Sequence, residues 1–143
     1  MTEVEPRLSY VIGRLERALR RRLDDGIRAH DLTTLQYTTL SVLRVRGGLS
    51  NARLARRSFV SPQAMSELLK GLEGKGLIRR EPEPGHGRIR RVELTPAGNR
   101  VLASCDRVVD QIEREMLGEL DPLERERLMA SLVSCVRVLG AGF

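Results

Sequence analysis

The chain has 143 residues, 41% hydrophobic and 31% charged, with 25 Lys plus Arg against 19 Asp plus Glu and a formal net charge of +6. That length supports one domain, or two small lobes sharing a core, and the composition is that of a soluble globular protein rather than a disordered chain. No apolar run approaches the ~18 residues a membrane-spanning helix needs, and the acidic start MTEVEPRLSY lacks the plan of a secretory signal, so a cytoplasmic protein without a membrane partner is expected.

Residues 7 to 28 set Leu8, Val11, Ile12, Leu15, Leu19, Leu23 and Ile27 three and four apart, the stripe of an amphipathic helix. The cations Arg20 to Arg22 run straight into Asp24 and Asp25 and read as a solvated face rather than a second nucleic-acid patch. Thr33 then has the setting of an N-cap, with Gln36 in the capping-box position and Leu32 and Tyr37 as a hydrophobic staple. The helix it starts runs to about Arg46, before Gly47-Gly48. Ser50 starts a short helix to about Arg57, with Leu49 and Leu54 as the staple pair. Ser61 starts another, with Pro62 at the first helical position and Val60 and Met65 as staple partners.

The helix from Pro62 to about Glu73 has one apolar face, Met65, Leu68, Leu69 and Leu72. At 100° per residue the opposite side is Gln63, Glu67 and Lys70, flanked by Ala64 and Ser66, a small polar surface without bulky obstruction. Gly74 and Gly76 stop it. Leu77 to Glu81 and Ile89 to Leu94 read as two strands, the second turning Val92 and Leu94 inward and Arg91 and Glu93 outward. Between them Pro82-Glu83-Pro84-Gly85-His86-Gly87 has the composition of a mobile hairpin tip.

Thr95 and Pro96 open a long helix with the stripe Val101, Leu102, Cys105, Val108, Val109, Ile112 and Met116, ended by Gly118. Asp121, Pro122 and Glu124 cap the last helix, whose stripe is Leu128, Met129, Leu132, Val133, Val136 and Leu139. These faces can pack on the centre of the chain, but continuous stripes at both chain ends suggest a second subunit.

The charge is not spread evenly. Between Ser50 and Arg91 there are 10 Lys plus Arg against 4 Glu, a surplus equal to the whole net charge of +6. Clustered cations displace many counterions from one ligand, which is what a polyanion-binding surface needs. The basic residues are 23 Arg and only 2 Lys, a usage that suits bidentate phosphate and guanine contacts and is equally explained by a general compositional bias toward Arg.

The remaining chemistry points away from catalysis. Cys105 and Cys135 lie far apart in or beside apolar stripes, which favours buried packing over zinc binding or a disulfide. The two histidines, His30 and His86, have no metal-ligand spacing, there is no nucleophile motif, and no glycine loop follows a strand in the phosphate-cradling pattern. Neither an enzyme nor a metal or cofactor site is expected.

Helix, turn, helix and a basic β-hairpin is the layout of a winged helix-turn-helix, and the sequence resembles the MarR (multiple antibiotic resistance regulator) family over almost its whole length. The resemblance is carried by Leu32-Thr33-Thr34-Leu35-Gln36-Tyr37, by Val60-Ser61-Pro62-Gln63-Ala64-Met65-Ser66, by Leu72-Glu73-Gly74-Lys75-Gly76-Leu77-Ile78-Arg79-Arg80, and by Arg88 followed by Leu94-Thr95-Pro96-Ala97-Gly98. It implies a mainly α fold with a small β-hairpin, in which a winged lobe over about 32–95 joins dimerisation helices over about 5–28 and 96–140 in a single 143-residue domain. It also implies a homodimeric transcription regulator, typically a ligand-responsive repressor, bound to double-stranded DNA at a pseudo-palindromic operator.

By position, the resemblance puts the outer face of the 62–73 helix in the major groove and Arg88 of the wing in the minor groove. Side-chain chemistry agrees: Gln63 can pair with adenine, Lys70 can reach guanine or phosphate, and Ser61 and Ser66 are short donors. The expected contact set is Ser61, Gln63, Ala64, Ser66, Glu67, Lys70, Arg80, Arg88 and Arg90. The family wing often carries Asp, any residue, Arg, whereas here the triplet is His86-Gly87-Arg88, so that either Glu83 substitutes for the acid or the wing is looser. His86 could add a pH-dependent phosphate contact, or be a solvent-exposed loop histidine. The resemblance further implies a pocket for a small phenolic or aromatic effector between the dimer helices and the lobe, with Tyr10, Arg14, His30 and Tyr37 as candidates. Tyr37 is as well explained by the staple and Arg14 by solvation. Two rival readings are a winged-helix protein-interaction module, which has no need of the local surplus of cations, and a cysteine-based redox-sensing regulator.

Overall fold

The computed structural model describes residues 4–140, the His86 side chain aside. Six helices and one small sheet follow in the order α1 (Leu8–Arg28), α2 (Thr34–Val45), β1 (Leu49–Ser50), α3 (Asn51–Arg57), α4 (Pro62–Gly74), β2 (Ile78–Glu83), β3 (His86–Leu94), α5 (Pro96–Met116) and α6 (Pro122–Val138). Each helix start read from the sequence is built as such. Thr33 and Gln36 form a capping box, and Asp121 and Glu124 form a second. The Ser50, Ser61 and Thr95 hydroxyls accept from the backbone N–H three residues on. Each cap satisfies donors that a helix end otherwise leaves orphaned.

Caps and the core fix one another. Met65, Leu69 and Leu72 of α4 meet Leu40 and Leu43 of α2, Leu54 of α3, Ile78 and Val92 of the sheet, and Leu102 and Cys105 of α5 in one buried cluster. Gly98 explains how closely α5 sits on the wing root, because a Cβ there would lie 2.1 Å from the Leu77 carbonyl oxygen. The same joint is pinned by Thr95, whose N–H donates to the Leu77 carbonyl at 3.1 Å and whose hydroxyl donates to the Gly76 carbonyl at 2.6 Å.

The sheet departs from the sequence reading in two ways. It has three strands in the order β1-β3-β2, all antiparallel, because Leu49 and Ser50 pair with Val92 and Arg91 before α3 begins. The hairpin is also longer than expected, with Pro82, Glu83, His86 and Gly87 inside strands and the turn reduced to Pro84-Gly85. Proline's fixed φ followed by Gly85 at φ +81° makes so tight a turn possible. The ladder is regular from Ile78↔Leu94 to Pro82↔Arg90 and then jumps to Glu83↔His86, leaving Gly87, Arg88 and Ile89 bulged out of register. Pro82 has no N–H with which to hold the regular ladder there.

The terminal helices are only half accounted for. The C-terminal part of α1 buries Ile27 and half-buries Leu23 against the core, while Leu8, Val11, Ile12 and Leu15 stay exposed. Helix α6 buries no residue, and Leu128, Met129, Leu132 and Leu139 of its stripe are exposed. Cys105 is buried as expected, whereas Cys135 is exposed, on a helix that buries no residue against the described residues of the chain.

Candidate nucleic-acid interface

Helix α4 turns its apolar side to the core, and that orientation decides which of its residues are free. Gln63, Ala64, Glu67 and Lys70 are exposed and Ser66 is half-buried, so the outward face has the composition read from the sequence. Ser61 is exposed, and although its hydroxyl oxygen accepts from the Ala64 N–H at 3.1 Å, its O–H is still able to donate outward. Asn51 at the start of α3 donates through its side-chain amide to the Pro62 carbonyl at 3.2 Å, holding the N-termini of α3 and α4 together.

The hairpin brings its arginines beside this helix. A cleft of about 350 Å³ is lined by Ser50, Asn51, Leu69, Arg80, Arg88 and Arg90, so three of the expected cationic contacts share one surface with α3 and α4. Arg88 and Arg90 are exposed, and Arg88 stands on the bulge at the wing tip. Among the described ion pairs none involves Arg88, Glu83 included, so the carboxylate substitute considered for the wing is not formed within this subunit. The His86 side chain, and with it the pH-dependent phosphate contact, lies outside the described residues.

Arg80 differs from the other two. Its side chain is only 16% exposed and sits 3.6 Å from a Glu73 carboxylate oxygen, too far for a hydrogen bond. Its Nε and one terminal nitrogen are buried with no hydrogen-bond partner among the described residues. Arg80 therefore spends part of its charge inside the lobe, tying β2 to the end of α4.

The four effector candidates do not converge within one subunit. Tyr10 and Arg14 are exposed near the start of α1, while His30 follows its far end, roughly 24–30 Å away at the helical rise of ~1.5 Å per residue. Tyr37 is half-buried on α2 and donates its hydroxyl to Asp106 of α5 at 2.7 Å. Asp106 also accepts from Arg44, about two helical turns further along α2. Burial raises the Tyr37 pKa and the hydrogen bond to Asp106 raises it further, from 10.0 to about 12. Burial opposes the Asp106 charge, but hydrogen bonds from Arg44 and Tyr37 outweigh it and hold the carboxyl below its ordinary range. This bridge was not legible in the sequence, because Asp106 follows Cys105 on α5 with no local partner to mark it.

Among the described residues no group of three or more His, Cys, Asp and Glu side chains is arranged to hold a metal ion, and no helix is long and apolar enough to cross a membrane.

Known proteins share this arrangement. A family model described as MarR family matches residues 30–89. The transcriptional regulator HosA of Escherichia coli O111:H- is 32% identical over 99 residues, 69% of this chain and 73% of HosA. The HTH-type transcriptional repressor Rv2887 of Mycobacterium tuberculosis H37Rv is 32% identical over 120 residues, 83% of this chain and 86% of that repressor. The structure of Rv2887 in complex with DNA superposes with a TM-score of 0.77 at 26% identity, covering 92% of this chain and 98% of that one. Its complex with salicylic acid gives 0.73 at 27% identity, covering 94% and 99%.

Proposed function

The chain belongs to the MarR family of transcription regulators, and from that premise we propose that it is a homodimeric repressor that binds a pseudo-palindromic DNA operator and releases it in response to a small ligand. The observation that carries the reading is the joint surface of α4 and the hairpin. A capped helix anchored by Met65, Leu69 and Leu72 presents Gln63, Ala64, Glu67 and Lys70 outward, beside a cleft lined by Arg80, Arg88 and Arg90. In the major groove Gln63 pairs with adenine and Lys70 reaches guanine or a phosphate. Ser61 and Ser66 donate nearby, and Arg90 neutralises the backbone. Arg88, raised on its bulge, enters the minor groove, where a narrow A·T-rich stretch concentrates negative potential.

Dimerisation is supported by the exposed apolar stripes of α1 and α6, which a second copy of the same helices would cover. We assign about 5–28 and 96–140 to that interface and about 32–95 to the DNA-binding lobe, in a cytoplasmic protein without catalytic activity. The relative solved with salicylic acid supports an effector of the phenolic or aromatic carboxylate class. Its place is between the lobe and the dimer helices, beside Tyr37 and His30. Tyr10 and Arg14, at the other end of α1, reach that place only from the second subunit.

Selection of bound sequences from random duplex DNA tests the reading. The expected product is an inverted repeat whose half-sites lie about 10 base pairs apart, centre to centre. Failure to enrich any sequence, with retention that merely follows salt concentration, refutes sequence-specific regulation and favours a non-specific polyanion binder.

A further inference from the structure

The turn between α3 and α4 holds a residue that its backbone does not favour. The Val60 N–H donates to the Ala55 carbonyl at 3.1 Å and the Phe59 N–H donates to the Arg56 carbonyl at 3.4 Å, the paired bonds of a Schellman helix stop. That stop puts Phe59 in the left-handed region, at φ +55°. Glycine is the usual occupant, since any Cβ is crowded there and a bulky side chain most of all. The other described non-glycine residue with positive φ is Asp31, at +58°, whose short polar side chain tolerates that region. Helix α4 ends on an identical pair of bonds, Leu77 N–H to the Leu72 carbonyl and Gly76 N–H to the Glu73 carbonyl, with glycine at φ +72°.

Packing does not compensate. The Phe59 side chain is 77% exposed, while its neighbour Val60 packs against the core. An aromatic ring that is both conformationally disfavoured and left in water breaks two local rules without a return inside the subunit, and such violations collect where a side chain has work outside it. The position indicates which work. Phe59 lies two residues before the Ser61 cap of α4, no more than about 7 Å along the chain, and the N-terminal end of that helix is the end a helix-turn-helix presents to base edges. The last turn of α3 adds Arg56 and Arg57 on the same side of the turn in sequence.

We propose that Phe59 is a specificity-determining residue whose ring packs at the major-groove edge against the C5-methyl group of one thymine in each half-site. The inference rests on the DNA-binding reading above. Thymine is the one base that offers an apolar group in the major groove, and a phenylalanine ring is suited to it because it has no hydrogen-bonding atom to leave unpaired.

The test uses the operator recovered by selection, with each thymine replaced singly by deoxyuridine, which deletes only the methyl group. Wild-type protein is expected to lose about four-fold in affinity at one position per half-site, the worth of one buried methyl. Phe59→Asn, which tolerates the left-handed backbone, should melt within a few degrees of wild type, bind the operator more weakly, and be indifferent to that replacement. Phe59→Gly serves as the second variant and should behave alike. Equal binding of thymine and deoxyuridine operators by wild type at every position overturns the proposal. So does a loss in the variants that is uniform across sequences, since that marks a backbone contact. If no operator is selected at all, the DNA-binding reading fails first and this inference falls with it, an outcome distinct from a normal operator with an unchanged profile in Phe59→Asn.

Discussion

Replacing Asp106 by alanine removes the one carboxylate that joins α2 to α5 through both Tyr37 and Arg44. The Tyr37 hydroxyl donates at 2.7 Å in a part-buried setting, and a hydrogen bond to a charged acceptor contributes about 1.5–3 kcal/mol. Arg44 is 44% exposed, so its ion pair adds no more than about 1 kcal/mol after solvent screening. A loss of about 2 kcal/mol is expected, which for a chain of this length lowers Tm by roughly 4–8 °C. The assay is urea or thermal unfolding at one fixed protein concentration, because dimer stability moves with concentration.

The pH dependence has a definite sign. Hydrogen bonds from Arg44 and Tyr37, overcoming burial, depress the Asp106 pKa in the folded state. Its contribution is therefore present above the unfolded carboxyl pKa of about 3.9 and lost as pH falls through the lower folded value. The difference between wild type and Asp106→Ala should be constant near neutrality and shrink below about pH 4. The Tyr37 pKa is raised, from 10.0 to about 12, so its contribution is complete below the unfolded value and disappears as pH climbs through the folded one. Tyr37→Phe and the double variant complete a cycle. If the two single losses add within about 0.5 kcal/mol, the residues are not coupled and the bridge is not what stabilises the α2–α5 joint.

Three further outcomes are expected. Arg88→Ala should leave Tm unchanged, because Arg88 is exposed, while weakening operator binding and lowering the salt slope by about two, one for each subunit of the dimer; normal operator binding would displace it from the wing's working end. Gly98→Ala should cost about 1–3 kcal/mol, since its Cβ would sit 2.1 Å from the Leu77 carbonyl oxygen and α5 would have to move off the wing root; an unchanged melting curve would refute that packing. Leu132→Glu on the exposed α6 stripe should convert the dimer to monomer in sedimentation experiments and weaken operator binding with it, whereas a persisting dimer would remove α6 from the interface.

Much of this molecule is written in short-range patterns. A cap and its partner lie three residues apart, a stripe repeats every three or four, and a staple spans five, so Thr33, Ser50, Ser61, Thr95 and Asp121 announce their helices without reference to the rest of the chain. The outward face of α4 follows from the same periodicity, and so did the exposure of Gln63, Ala64, Glu67 and Lys70. Tertiary structure decided what depends on distant partners. Leu49-Ser50 becomes a strand only because β3 lies alongside, and the bulge that lifts Arg88 exists because Pro82 meets Arg90 across the hairpin. Arg80 looks identical to Arg90 in sequence, yet the end of α4 brings Glu73 to one and leaves the other in solvent. Tyr37 reads as a staple until α5 supplies Asp106, 69 residues away. Local patterns set which groups each element offers, but a hydrogen bond or ion pair needs two groups within a few ångströms, and only packing of the whole chain fixes that distance.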